Sequence, residues 1–297
     1  MIEKIIGHHQ IINFFDKVID NANLSHAYCF VGLEHLGKRK VAEYLASKIL
    51  EVDNKKLYQN FDFVFVNQEI DEKTEKTKRD ITVKQIRELR EQLSKRSYGG
   101  GFKVAIIDNA EKMNSEAANA LLKTLEEPAD RTIIFLLTKD EKQLPETIIS
   151  RCQLINFFPV HPRDIKTNLA EFYDEELVEE VANLSGGLPG LAINWLKNKE
   201  MLADYKKEIQ RFHSLFGEPF YKKLAIVEDL FGDKTDHIAA RQHLLEVLDI
   251  WQSDLMKENL EATKNVSLQD QIFTTKDLLL KNVHPRLLIE NILLNIP

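Results

Sequence analysis

Short apolar runs alternate, in the first half of the chain, with stretches where apolar residues recur every three or four positions. Ala27–Val31, Phe61–Val66, Val104–Ile107, Thr132–Thr138 and Gln153–Phe158 are short, aromatic or β-branched, and mostly bounded by polar residues or glycine. That is strand patterning. Unbroken apolar runs such as Ile133–Leu137 suit strands covered on both faces, as in a parallel sheet. Between them Lys38–Leu50, Thr82–Arg96 and Ser115–Glu127 read as helices. Val83, Ile86, Leu89 and Leu93 share one face of the second. Leu121, Leu122 and Leu125 point inward from the third, with Asn114 placed to cap it and Pro128 just beyond its end. Strands alternating with helices are the signature of an α/β domain. Glu69–Arg79 is polar with mixed charge and reads as an exposed loop. Gly99–Gly101 reads as a flexible connection.

After Phe158 the strand pattern stops. Pro159 and Pro162 mark the change, and from Asp164 onward the chain reads as helices only, interrupted at Gly186, Gly187, Pro189 and Gly190. A longer helical stretch begins near Met201. Leu244, Leu245, Leu248, Trp251 and Leu255 form one apolar stripe in it. A last helix starting near Pro285, a good first-turn residue, carries Leu287, Leu288, Ile292 and Leu293. The expected fold class is α/β plus all-α: an α/β domain over 1–160, a small helical lid over 161–200, and a helical domain over 201–297. The two C-terminal stripes suit packing against partner subunits and suit an internal core equally well.

Composition narrows the class. At 297 residues with 43% apolar and 29% charged residues, the chain resembles an ordinary globular protein and not a disordered one. No run approaches the ~18–20 apolar residues of a membrane span, and the N-terminus shows no secretory pattern, so the cytoplasm is the expected compartment. Cys29 and Cys152 are too few for a Cys-rich zinc site and are expected to be reduced and unpaired. His8, His9, His26 and His35 have no metal-ligand spacing. Forty basic against 47 acidic residues give a net charge of −7, which excludes a general nucleic-acid coat but not a local basic surface.

Candidate chemistry lies at three places. Gly32-Leu-Glu-His-Leu-Gly37-Lys38-Arg39 follows a predicted strand and opens a predicted helix, the setting of a phosphate-binding P-loop. The Ser or Thr that should ligate Mg²⁺ is replaced by Arg39, and one cation cannot coordinate another. Val104–Asp108 is an apolar strand ending in a carboxylate, as a Mg²⁺-binding Walker B strand does. Asn109 follows, where a water-polarising Glu stands in hydrolysing enzymes, and an amide is a poor proton acceptor. Glu111 is placed in the next turn, and Thr138 at a strand end is a weak candidate for a γ-phosphate sensor. Ser150-Arg151-Cys152 precedes the last strand and means little alone.

Together these segments carry a resemblance. Asn23–Gly32, Ala120–Pro128 (ALLKTLEEP) and Ser150-Arg151-Cys152, in this order and spacing, resemble the clamp-loader branch of the AAA+ ATPases, closely over the α/β domain and more loosely through Ser185–Leu196 and His284–Leu294. Within the branch, the damaged P-loop resembles the delta-prime subunit family of bacterial DNA polymerase III more than the gamma/tau motors. The sensor-2 Arg of the motors is matched here by Pro189 or Gly190. The resemblance implies a subunit without ATPase activity of its own, with Gly32, Gly37, Lys38 and Asp108 as a degenerate nucleotide site and Arg151 as an arginine finger acting in trans. It implies that the C-terminal helices form a collar with their counterparts. It further implies gamma/tau-like ATPase subunits, a delta-like subunit, a sliding clamp and primer-template DNA as partners, and no membrane. No cofactor is required, and ATP binding is left open. Delta-prime relatives usually carry a four-Cys zinc module after the P-loop helix, but residues 50–103 hold no Cys, so no zinc is expected. The rival readings are an active motor of the same fold, a P-loop phosphotransferase, and a regulator that binds ATP without turnover.

Overall fold

The computed structural model describes residues 5–70, 77–231, 237–257, 262–281 and 283–297. Five strands, β1 (Ala27–Val31), β2 (Phe63–Val66), β3 (Lys103–Ile107), β4 (Thr132–Thr138) and β5 (Gln153–Asn156), form one sheet in the order β2-β3-β4-β1-β5. Every pairing is parallel. Period-two alternation sends the two faces of each inner strand into separate cores. Ala27, Cys29, Ile134 and Leu136 face α3 (Val83–Ser94) and α4 (Ser115–Glu126), meeting Ile86, Leu89, Leu121 and Leu125. Tyr28, Phe30, Phe135 and Leu137 face α1 (His9–Asp20) and α2 (Lys38–Ile49), meeting Phe15, Val41 and Leu45.

Local chemistry sets the boundaries. The Asn114 side chain accepts from the Ala117 amide and starts α4, as its spacing predicts. Thr82 and Gln85 form a reciprocal capping box at α3. β2 begins two residues later than the apolar run because Asp62 is turned into the neighbouring Ser97–Gly99 loop, where its carboxylate accepts from Ser97 Oγ, Tyr98 N and Gly99 N. β5 ends at Asn156. It is an edge strand with Leu154 exposed, so the expectation of strands covered on both faces holds for the inner strands and not here. Helix α1 was not anticipated from the sequence. Its apolar residues recur at helical spacing, with Ile11, Phe15 and Ile19 on one face, though only Phe15 is fully buried. The Glu69–Arg79 loop lies partly outside the described residues. Its described ends are joined by an Ile70–Thr77 bridge.

Helices α5 (Glu146–Ile149), α6 (Pro162–Leu169), α7 (Glu175–Leu184) and α8 (Pro189–Lys197) follow. The chain divides into two compact units, Met1–Ile193 and Asn194–Pro297, so α6, α7 and the start of α8 group with the sheet. The second unit holds α9 (Lys199–His213), α10 (Phe220–Val227), α11 (His237–Lys257), α12 (Ala262–Leu280) and α13 (Pro285–Asn295). Its core contains Phe212, Leu244, Leu248, Trp251, Leu255, Leu288, Ile292 and Leu293. The two stripes considered for partner packing are therefore used internally, apart from exposed Leu287. Burying each such side chain stabilises by about 1.5–3 kcal/mol, which leaves little reason to present them to another chain.

Candidate functional site

The sheet order places the chemistry. β1 and β3 are separated by β4, so the segments leaving their carboxyl ends flank one cleft, where open α/β sheets bind ligands. This cleft has a volume of about 610 Å³ and is lined by residues including His35, Gly37, Lys38, Arg39, Asp108, Asn109, Thr138 and Gly190. The structure thus brings together Lys38, Arg39, Asp108, Asn109 and Thr138, and Gly32 and Gly37 shape the loop between them. Arg151 does not line this cleft.

The loop folds as its glycines require. Gly32 has φ 151°, and a Cβ there would lie 2.6 Å from the Phe157 carbonyl oxygen. Gly37, at φ 95°, precedes α2 as its N-cap without a side-chain cap, so the first-turn amides of α2 have no side-chain acceptor from the cap. Four loop carbonyls are already engaged. Lys38 Nζ donates to Gly32 O at 2.6 Å and Leu33 O at 2.8 Å. The Gly190 amide donates to His35 O at 2.8 Å. His8 Nε2 lies 2.8 Å from Leu36 O. His8 and His35, which the sequence left without a role, are thus structural parts of the loop. Gly190, matched to the missing sensor-2 cation, instead packs its bare Cα against His35, whose carbonyl oxygen would be 2.9 Å from an added Cβ.

Arg39 is built into the wall of the cleft, held by several partners although its side chain is about half exposed. Nε bonds Glu43 Oε1 at 2.8 Å, and Nη2 donates to Tyr58 Oη at 2.9 Å. The guanidinium carbon lies 4.4 Å from the centre of the Phe65 ring. Nη1 is 3.7 Å from Asp108 Oδ2. The Tyr58 hydroxyl donates in turn to Glu43, and burial together with that carboxylate pushes the phenol up to about 12. Sequence reasoning missed Tyr58, Glu43 and Phe65. Only Glu43 left a signal, four residues after Arg39 on the same helix.

Most of the charges in the cleft meet partners within it. Lys139 pairs with Glu34 at 2.7 Å. Arg39 faces Glu43 and Asp108, and Lys38 is buried against loop carbonyls. Burial lowers the Lys38 pKa, opposed by the carboxylates of Glu111, Asp108 and Glu34. Burial raises that of Asp108, opposed by Arg39. Glu111 lies in the short turn Ala110–Lys112, as expected, with both carboxylate oxygens buried and without a hydrogen-bond partner. A Mg²⁺ ion does not fit here. Position 39 offers no oxygen, and its guanidinium sits beside the one carboxylate that would ligate the metal. Thr138 is buried and its hydroxyl donates to Asp140 O, so it is not free for a phosphate.

Arg151 follows α5 at the molecular surface, its side chain about one third exposed. Cys29 and Cys152 are free thiols, both pushed up to about 12 by burial. Among the described residues, no group of three or more His, Cys, Asp or Glu is placed to hold a metal. Likewise, no described helix is long and apolar enough to cross a membrane.

A family model described as DNA polymerase III, delta subunit, matches residues 7–161. DNA polymerase III subunit delta' of Bacillus subtilis is 29% identical over 221 residues, covering 71% of this chain and 67% of that protein. DNA polymerase III subunit tau/gamma of Haemophilus influenzae is 31% identical over 183 residues, covering 58% of this chain but only 26% of that protein. The crystal structure of a DNA polymerase III gamma subunit-related protein from Thermotoga maritima superposes with a TM-score of 0.52 at 19% identity, covering 94% of this chain and 97% of that one, a likeness of fold. With the family model matching just over half of the chain, across the strands and loops that build the cleft, this protein belongs to the DNA polymerase III delta subunit family.

Proposed function

We propose that this chain is a cytoplasmic clamp-loader subunit that does not hydrolyse ATP, needs neither nucleotide nor zinc, and gives Arg151 to ATP held by a neighbouring gamma/tau-like subunit. One observation carries the reading: the Arg39 guanidinium stands among Glu43, Tyr58 and Asp108 where hydrolysis needs a metal. Asn109 supports it, since it offers no base to the attacking water. Arg151 lies at the surface, away from the chain's own cleft, where a cation can reach another subunit. A finger of this kind neutralises charge developing on the γ-phosphate. The helical unit would act as the collar, and a delta-like subunit, a sliding clamp and primer-template DNA would complete the assembly.

The second reading is a motor, favoured by the intact Gly32, Gly37, Lys38 and Asp108 and by the similarity to a tau/gamma subunit. Phosphate release from Mg-ATP by the purified chain, with and without primed DNA, separates the two. No turnover is expected, and turnover at motor-like rates establishes the motor. In the assembled complex, Arg151→Ala is expected to slow partner ATP hydrolysis by about 10³-fold or more without loss of assembly.

A further inference from the structure

The end of α4 carries two acids, Glu126 as its last residue and Glu127 as its C-cap. They approach the segment after α5 differently. Glu126 Oε1 lies 2.8 Å from Arg151 Nη2. On the other arm of the guanidinium, Nη1 donates to Thr147 O at 2.8 Å and to Ser150 Oγ at 3.3 Å. One anchor thus comes from α4 and two from the α5 turn. No other hydrogen bond of Arg151 occurs among the described residues, so Nε–H and one Nη2–H of its five N–H donors are left for another acceptor.

We propose that Glu126 is a positioning residue that holds the Arg151 guanidinium in the plane and direction it needs to meet a phosphate on a neighbouring subunit. This rests on the reading of Arg151 as a finger given in trans. The Glu126 side chain is half exposed and that of Arg151 about one third exposed. An ion pair so exposed adds little to fold stability. It does restrict a long side chain that otherwise samples many rotamers, and an arginine fork fixed beforehand loses less entropy at each new hydrogen bond. Misplacing a catalytic group by about 1 Å can cost about 10²-fold in rate. The carboxylate's shortest contact is to Nη2, and Nε makes no hydrogen bond among the described residues, which suits an anchor better than a lock.

The test uses the complete clamp loader assembled with its ATP-hydrolysing subunits. DNA-stimulated hydrolysis is measured for the wild type, Glu126→Ala, Glu126→Gln, Arg151→Ala and the Glu126→Ala/Arg151→Ala double variant. Glu127→Ala is the control, because its carboxylate makes no contact with Arg151. Glu126→Ala is expected to lower kcat by about 5- to 20-fold, with KM for ATP changed less than about twofold. Glu126→Gln, which keeps an acceptor oxygen, should recover most of the loss. Glu126→Ala should add nothing once Arg151 is Ala, while assembly and Tm stay at wild-type values. The proposal is overturned if Glu126→Ala leaves kcat unchanged while Arg151→Ala lowers it, if it raises kcat, or if its effect persists in the Arg151→Ala background. A silent Arg151→Ala removes the finger reading itself and this proposal with it, an outcome distinct from the other three.

Discussion

Arg39 shows how much one side chain can decide. Its contacts reach a helix neighbour, a tyrosine, an aromatic ring and the strand-end Asp108, so its loss touches all of them. Arg39→Thr places a hydroxyl where Mg²⁺ needs one and removes the cation beside Asp108. Calorimetric titration of that variant should show Mg²⁺-dependent ATP binding at least about 10-fold tighter than wild type, some 1.4 kcal/mol. Turnover should remain absent, because Asn109 is unchanged. If titration shows no gain, Arg39 is not what closes the site. Asp62 provides a test in pH. Burial works against its ionisation, but the donors Tyr98 N, Gly99 N and Ser97 Oγ, with Lys103 nearby, hold its pKa below the ordinary carboxylate value. The folded state therefore gains stability from Asp62 above the unfolded pKa of about 3.9 and loses it as pH falls through the lower folded value. Asp62→Asn should cost about 1.5–3 kcal/mol in urea unfolding at pH 7. That difference should shrink toward zero in acid, and a gap independent of pH would mean that the charge is not what matters.

Among the elements, the inner strands, α2, α3, α4 and the final helix were legible because pattern and boundary chemistry agree there. Asn114, Thr82 and Pro285 occupy capping or first-turn positions where the apolar spacing already asks for a helix start. Helix α1 was missed although Ile11, Phe15 and Ile19 share one face, because its N-cap, His8, makes no side-chain cap hydrogen bond and no boundary residue marks its start. In the cleft, the loop and strand-end residues could be read from spacing. Tyr58 and Phe65 could not, since they meet Arg39 only through tertiary folding across 19 and 26 positions of chain. Nor does sequence reveal that Gly187 and Gly190 are required by close approach. Gly187, at φ 80°, would place a Cβ 2.6 Å from Val160 O and 2.7 Å from Pro159 Cβ. Gly187→Ala should therefore destabilise the sheet-containing unit by about 2–4 kcal/mol in chemical denaturation, combining left-handed strain with a clash. Gly100→Ala is the comparison. Gly100 has a similar φ of 71° but nothing within 4 Å, so it should cost only the ~1 kcal/mol conformational share. Equal costs would show that the approach at Gly187 relaxes freely.

Over the whole molecule, division into two compact units means that stability need not be lost in one step. Trp251 is fully buried, stacks on Phe212 at 4.9 Å, and donates from Nε1 to Glu208 at 2.9 Å. Trp251→Ala should cost about 3–5 kcal/mol, confined to the helical unit. Hydrogen exchange should then show protection lost across α9 and α11 while amides of β1, β3 and β4 stay protected. Uniform loss would mean that the units fold as one. The partners that the cleft's cations find within it have their own consequence at this scale. A ligand shifts a conformational equilibrium only by binding its two states unequally, and one that finds no grip shifts nothing. On the proposed reading, with Lys38, Arg39 and Lys139 already matched to acceptors of the same chain, the ratio of ATP to ADP in the cell would have little lever on this subunit. In the proposed assembly it would keep one shape while its neighbours cycle, the fixed jaw against which the moving ones would close.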